Sequence, residues 1–266
     1  MAERVTKPAL ISKTAKEWGK FVLFEGCVMS RRMAGSRYTT LFVLDKYGFD
    51  YIIMEEERCC GAPIMRSGEE EVSKECRMYN LDLVKKAGLN QIVTGCAGCG
   101  SQLKSEEAEK MGIHVYHLVE VLYDLAKNGE LYLKDHMRPI PKLKVTVHFP
   151  CHIHRGMLID CGKAHEAIIK AFPNLEYVEM KEPQRCCGAG GAVRASQKQL
   201  SYEIRKRKLE DIEGTDADIV IAACPFCELQ IDEGLRQEGM SDTRSITPQS
   251  MIAMFFKDIG QEVAKL

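Results

Sequence analysis

The chain has 266 residues, with 37 lysines and arginines against 38 acids, a net charge of −1 and 12 cysteines. Its basic residues are spread among acids instead of gathered in blocks, which argues against a nucleic-acid partner. No apolar stretch nears the ~18 residues needed to cross a bilayer, and the amino terminus, with Glu3, Lys13 and Lys16, lacks a secretory core segment, so a soluble, cytoplasmic protein without a membrane span is expected.

Residues 1–20, with Lys7, Lys13, Lys16, Lys20 and Trp18, have no counterpart later in the chain and are expected to form an extra helix packed on the first domain. Short apolar runs rich in β-branched and aromatic residues then predict strands at 21–24, 51–54 and 91–94, ending just before Cys27, Cys59 and Cys96. A stretch of helical length and composition covers 68–87, and a helix-like segment ends near Lys127. Asn128-Gly129 and the Pro139-Ile140-Pro141 run mark 128–142 as a linker. The second half repeats the order, with strands at 144–148, 177–180 and 218–222 ahead of Cys151, Cys186 and Cys224, and helices at 163–172 and 195–213. A helix continues past Cys227 over 228–236, and Thr247-Pro248 opens a closing helix over 247–256. Strands alternating with helices predict an α/β fold with mostly parallel sheets. The domains are then an extension at 1–20, a first unit at 21–135 and a second at 136–266.

Ten of the 12 cysteines form two copies of one pattern, Cys27…Cys59-Cys60…Cys96-x-x-Cys99 and Cys151…Cys186-Cys187…Cys224-x-x-Cys227. The gaps are 31, 0, 35 and 2 residues in the first copy and 34, 0, 36 and 2 in the second, and Cys-Cys-Gly-Ala recurs at 59–62 and 186–189. Two similar, Rossmann-like domains produced by internal duplication follow. Each cysteine group lies past the carboxyl end of a strand, where open α/β sheets bind ligands. Five thiols per copy, two of them adjacent, suit a polynuclear iron–sulfur centre better than one tetrahedral ion, which needs four ligands. A disulfide-bonded secreted protein is disfavoured by size, by the missing signal and by the Cys-x-x-Cys pairs. Structural zinc is disfavoured by the vicinal pairs and by gaps far from zinc-ribbon spacing.

These motifs resemble the CCG-domain family, and within it the catalytic subunit of heterodisulfide reductase (HdrB-like). The likeness runs from about Phe21 to the end of the second motif and includes Cys186-Cys-Gly-Ala-Gly-Gly191 and Cys224-Pro-Phe-Cys-Glu-Leu-Gln230. The resemblance implies two noncubane 4Fe–4S clusters facing one cavity where a disulfide is split. Cys27, Cys59, Cys60, Cys96 and Cys99 would bind one cluster, and Cys151, Cys186, Cys187, Cys224 and Cys227 the other. It also implies a complex with a ferredoxin-like iron–sulfur subunit (HdrC-like) and a flavoprotein subunit (HdrA-like), acting on a small thiol or disulfide. A second function class stays open: an electron-relay iron–sulfur subunit of a succinate, glycolate, lactate or glycerol-3-phosphate dehydrogenase type.

Gly61, Gly188, Gly190 and Gly191 suit close backbone approach with N–H groups given to cluster sulfurs, and equally an ordinary strand-to-helix turn. Residues 188–191 do not make a Gly-x-Gly-x-x-Gly dinucleotide fingerprint, because position 193 is Val. His152 and His154 flank Cys151, and each is a candidate to pass a proton to a leaving thiolate, with simple hydrogen bonding as the plainer reading. Arg31, Arg32, Arg155 and Arg194 could pair with an anionic group on a thiol substrate, or lie solvated at the surface. Cys76 and Cys161 have no mates in the repeat and are expected to be plain buried or surface residues.

Overall fold

The computed structural model describes residues 13–260. In the first half α1 (Lys13–Trp18) is followed by β1 (Phe21–Phe24), α2 (Gly26–Arg32), α3 (Ala34–Tyr47), β2 (Tyr51–Ile52), α4 (Ala62–Arg66), α5 (Glu70–Lys86), β3 (Gln91–Thr94), α6 (Ala97–Leu103), α7 (Glu106–Lys110), β4 (His114–His117) and α8 (Leu118–Lys127). The second half runs through β5 (Leu143–His148), a π-helical turn at His152–Gly156, α9 (Cys161–Lys170), β6 (Leu175–Tyr177), α10 (Val193–Ser196), α11 (Lys198–Glu213), β7 (Ile219–Ala222), α12 (Pro225–Gln237), β8 (Arg244–Ile246) and α13 (Pro248–Met254).

The strands form two four-stranded sheets, ordered β2-β1-β3-β4 and β6-β5-β7-β8, and every pairing is parallel. Helices cover both faces, which is why β1 and β7 are apolar and buried at every position. Strand order reverses between β1 and β3 and again between β5 and β7, so each half has a switch-point crevice beyond the carboxyl ends of those strands. The α/β architecture with two duplicated parallel sheets is the one expected from the sequence.

The differences lie at the sheet edges. β4 and β8 carry no sequence signal of their own: His114–His117 has histidine at both ends, and Arg244–Ile246 is three residues long. β2 and β6 end before Ile53 and Val178 because edge strands pair on one side only, and the chain then turns toward the vicinal cysteines. The helix expected over 195–213 is interrupted at Gln197, which leaves helical geometry at φ −130° and ψ 63°.

The larger apolar core is continuous across both halves. Phe256 sets its ring edge-on to Phe42 and Tyr47 at centroid distances of 5.5 and 6.0 Å. Thr39 Oγ1 meets Ser250 Oγ at 2.9 Å, and Gln249 Nε2 donates to Thr40 Oγ1 at 3.0 Å, so α13 is tied to α3 by buried polar contacts as well. Of the amino-terminal extension, residues 1–12, with Lys7, lie outside the described residues. Its last turns form α1, where Trp18 packs edge-on against Tyr116 and Thr14 N–H donates to the Glu130 carboxylate at 3.1 Å.

Candidate metal centre

Three chain segments deliver the five cysteines of each half. Cys96 and Cys224 stand at the N-caps of α6 and α12 in extended backbone, so Cys99 and Cys227, three residues on, share the face above them. Cys27 follows Gly26, the first residue of α2, whose φ is +72°. The half-buried Glu57 carboxylate fixes that turn by accepting the N–H groups of Glu25 at 3.0 Å and Gly26 at 2.7 Å. A Cβ at Gly26 would lie 2.8 Å from Cys99 Sγ, so glycine is what lets the two segments close together.

Each vicinal pair is followed by a left-handed glycine, Gly61 at φ +88° and Gly188 at φ +86°. A Cβ there would meet the carbonyl oxygen of Ser73 or Ser201 at 2.6 Å in either case. The hydroxyls of these serines donate to the glycine carbonyls at 3.0 and 2.9 Å, and Gln102 and Gln230 donate to the same hydroxyls at 2.9 and 3.0 Å. The two halves thus repeat a Gly–Ser–Gln chain as well as the cysteines. The glycine turn also supplies donors, for Gly61 N–H and Ala62 N–H point to Cys59 and Cys60 Sγ at 3.5 Å, and Gly188 N–H points to Cys186 Sγ at 3.3 Å. The turn and the donor readings of these glycines therefore coincide, with the protein sulfurs as acceptors. Asn80 and Lys208 hold the loops leading to the pairs: the Asn80 amide donates to the Arg58 and Cys59 carbonyls, and Lys208 Nζ donates to the Glu182 carbonyl at 2.6 Å.

Within each half the thiols converge. The Sγ atoms of Cys187 and Cys227 lie at hydrogen-bond distance, 3.4 Å apart. In the first half Cys59 is held down at about 2 by hydrogen bonds from Cys27 and Cys60, while Cys60 is pushed up to about 12, chiefly by giving its proton to Cys59. Cys187 lies well below the usual thiol range because Cys186 and Cys227 donate to it, and Cys224 likewise through Cys227 and Cys96. The last pair crosses between the halves, so the two cysteine sets abut. Nine of the ten thiols, all but Cys59, line one cavity of about 380 Å³ together with His148, His152, Arg32, Arg66 and Arg194. A soft, all-thiolate donor set with more than four members per half fits polynuclear iron–sulfur chemistry, in which a vicinal pair reaches separate irons.

The other candidates separate. His152 lines the cavity, with Nδ1 3.9 Å from Cys151 Sγ and Nε2 against the Arg66 guanidinium. Burial, then the charge of Arg66, lowers its pKa. His154 lies two residues further on the turn, away from the cavity lining, its ring 5.7 Å from that of Phe149. Arg32 and Arg194 reach the cavity, and Arg194 is held there by Gln230 at 2.7 Å and by Glu233. Arg31 and Arg155 are exposed and stand outside it. Cys76 is half-buried on α5, and Cys161 is a buried thiol on α9 pushed up to about 12 by burial. Sequence reasoning missed Arg66, His148, Glu57 and the two Ser–Gln pairs. The pairs carried a signal, because the offset of 128 that relates Cys96 to Cys224 also relates Ser73 to Ser201 and Gln102 to Gln230.

A family profile described as a cysteine-rich domain, CCG, matches residues 21–104 and 145–232. The B-subunit of the fumarate reductase (CoM/CoB) of Methanothermobacter marburgensis is 31% identical over 88% of this chain and 46% of its own length. The D-subunit of the dihydromethanophenazine:CoB–CoM heterodisulfide reductase of Methanosarcina mazei is 32% identical over 80% of this chain and 53% of its own. The probable glycolate oxidase iron–sulfur subunit of Bacillus subtilis is 26% identical over 84% and 51%. The chain spans about half the length of these curated relatives. Among the described residues no helix is long and apolar enough to cross a membrane. With the five-cysteine pattern present in both matched segments, the chain belongs to the CCG cysteine-rich domain family.

Proposed function

We propose that this chain is the catalytic iron–sulfur subunit of a heterodisulfide reductase-like complex, reducing or forming a low-molecular-weight disulfide at two noncubane 4Fe–4S clusters. The observation that carries the reading is the single cavity walled by thiols of both cysteine sets. A relay needs only that its centres lie close together, whereas here thiols of both sets share one wall with Arg32, Arg66 and His152, so that a small molecule entering there meets both centres and polar side chains at once. The ten cysteines Cys27, Cys59, Cys60, Cys96, Cys99, Cys151, Cys186, Cys187, Cys224 and Cys227 would hold the clusters, which supply one-electron chemistry and iron sites for sulfur.

The reaction takes R–S–S–R′, two electrons and two protons to RSH and R′SH, with the electrons from a ferredoxin-like partner and a flavoprotein partner in the cytoplasm. Arg32 and Arg66 on the cavity wall are placed to pair with an anionic tail of the thiol, as carboxylate, sulfonate or phosphate. In this reading His152, which lines the cavity beside Cys151, hands a proton to the departing sulfur, a role its position supports better than that of His154, which packs on Phe149.

The second reading is an electron-relay subunit of a dehydrogenase, and it is favoured by the likeness to the glycolate oxidase iron–sulfur subunit. Iron, sulfide and zinc analysis of anaerobically purified protein, with electron paramagnetic resonance in the presence of thiols, separates the readings. About eight irons per chain, a thiol-dependent signal and disulfide reduction with an artificial donor are expected. About four irons without thiol response would favour the relay, and zinc without iron would overturn both.

A further inference from the structure

The duplication has given both halves the same cysteines, turns and Gly–Ser–Gln chains, but at one position beside the thiols they differ in chemistry. In sheet register Phe24 pairs with Thr94 and His148 pairs with Ala222. Cys96 and Cys224 follow two residues after those partners, and Cys27 and Cys151 follow three residues after Phe24 and His148. Phe24 and His148 therefore hold one and the same place in the two halves.

Phe24 is buried in an apolar cluster with Cys60, Cys96 and Cys99, and offers those sulfurs no hydrogen-bond donor. His148 is 1% exposed. A ring nitrogen of His148 and the sulfurs of Cys187 and Cys227 all lie within 4.8 Å of one another. An imidazole enclosed in this way has to place its N–H on an acceptor, because buried donors are rarely left unsatisfied. The sulfurs of Cys187 and Cys227 are the acceptors at hand.

We propose that His148 gives an imidazole N–H to the Cys187–Cys227 sulfurs, and that the second cluster thereby has the higher reduction potential of the two. A donor to a ligating thiolate withdraws electron density from the iron and stabilises the reduced state, whereas the phenyl ring of Phe24 does nothing of the kind at the first cluster. His148 is a positioning and tuning residue; an electron shared between the two centres rests on the second. The inference depends on the reading of the chain as a two-cluster protein.

The test is a redox titration of the full, anaerobically purified chain followed by electron paramagnetic resonance, on wild type, His148→Phe and His148→Gln, with iron content measured on each sample. Two midpoints are expected in wild type. His148→Phe, which copies the first half, should lower the higher midpoint and leave the other in place, while His148→Gln, which keeps a donor, should stay nearer wild type. At unchanged iron content, midpoints that stay put or move together overturn the inference. Should His148→Phe fail to take up iron, pulsed resonance on wild type labelled with 15N-histidine decides. A weak nitrogen coupling that is lost in His148→Gln supports a hydrogen bond. A coupling strong enough for direct iron ligation, or none at all, overturns it. Iron-free wild-type protein would instead remove the two-cluster reading itself, an outcome distinguished by the metal analysis alone.

Discussion

Gly61 and Gly188 show what a single backbone position contributes. Alanine at either site would have to adopt a positive φ and place its Cβ 2.6 Å from a serine carbonyl, a backbone atom that cannot swing aside. Gly61→Ala and Gly188→Ala should each cost roughly 2 kcal/mol or more in denaturant unfolding. Gly190→Ala, with nothing within 4 Å of its Cβ, should stay within about 0.5 kcal/mol of wild type. His165 sets an acid limit. Burial lowers its pKa to about 4 from an ordinary 6.5, so the folded protein holds it neutral where the unfolded chain would charge it. Its contribution is full above pH 6.5 and is lost as pH falls toward 4, by about 3 kcal/mol in all. Unfolding free energies at pH 7.5, 6 and 5 should therefore fall more steeply for wild type than for His165→Leu; parallel curves would refute the assignment. At this scale the cysteines were legible because they recur at matched spacings in both halves. His148 was not, because it ends an apolar strand where any large buried residue fills the space, and only its distance to Cys187 and Cys227 sets it apart.

The elements carry the site by symmetry, and the symmetry is imperfect in ways that can be measured. Gln102 braces Ser73, which in turn braces Gly61. Gln230 braces Ser201 in the same way but also accepts from Arg194 at 2.7 Å, so it joins α10, α11 and α12. Replacing Gln102 with Met should cost about 1–2 kcal/mol, the usual loss when a buried partner is left unsatisfied. Gln230→Met should cost more, since Ser201 and Arg194 both lose a partner, and equal losses in denaturant unfolding would refute this. Strands β1 and β7 were legible because they are buried at every position and so read as unbroken apolar runs, and β3 and β5 because Ile92-Val93 and Val145 with Val147 give them a buried β-branched centre. Edge strands β4 and β8 were not, for they are short, mix polar with apolar residues and owe their existence to register with β3 and β7. The π-helical turn after Cys151 had no signal either; it is set by packing of Gly156 on Ser101, where a Cβ would come within 2.4 Å of Ser101 Oγ.

At the scale of the molecule, duplication predicts two domains able to unfold apart, and the packing predicts the opposite. The larger core passes without a break from α3 and α8 of the first half to α9 and α13 of the second. Phe256, fully buried near the carboxyl end, has its two closest aromatic partners, Phe42 and Tyr47, in the first half. Ser36 donates to the buried Glu228 carboxylate at 3.1 Å, so α3 is also fastened to the helix that follows Cys227. Sequence periodicity marks which face of a helix is apolar but not which neighbour covers it, and for this reason the shared core was invisible before the structure. A residue that belongs to both halves should destabilise both when it is cut back. Phe256→Ala should cost about 3–5 kcal/mol, as truncation of a fully buried aromatic does. Thermal unfolding should remain one transition at a lower temperature, because neither half keeps a complete core once the other has opened. Two separate transitions, with only the later half of the chain shifted, would show that the halves are independent and that the cavity between them is assembled by docking. One transition means that the wall shared by both cysteine sets is folded as a unit, so a loss of packing about the carboxyl end loosens the site from both sides.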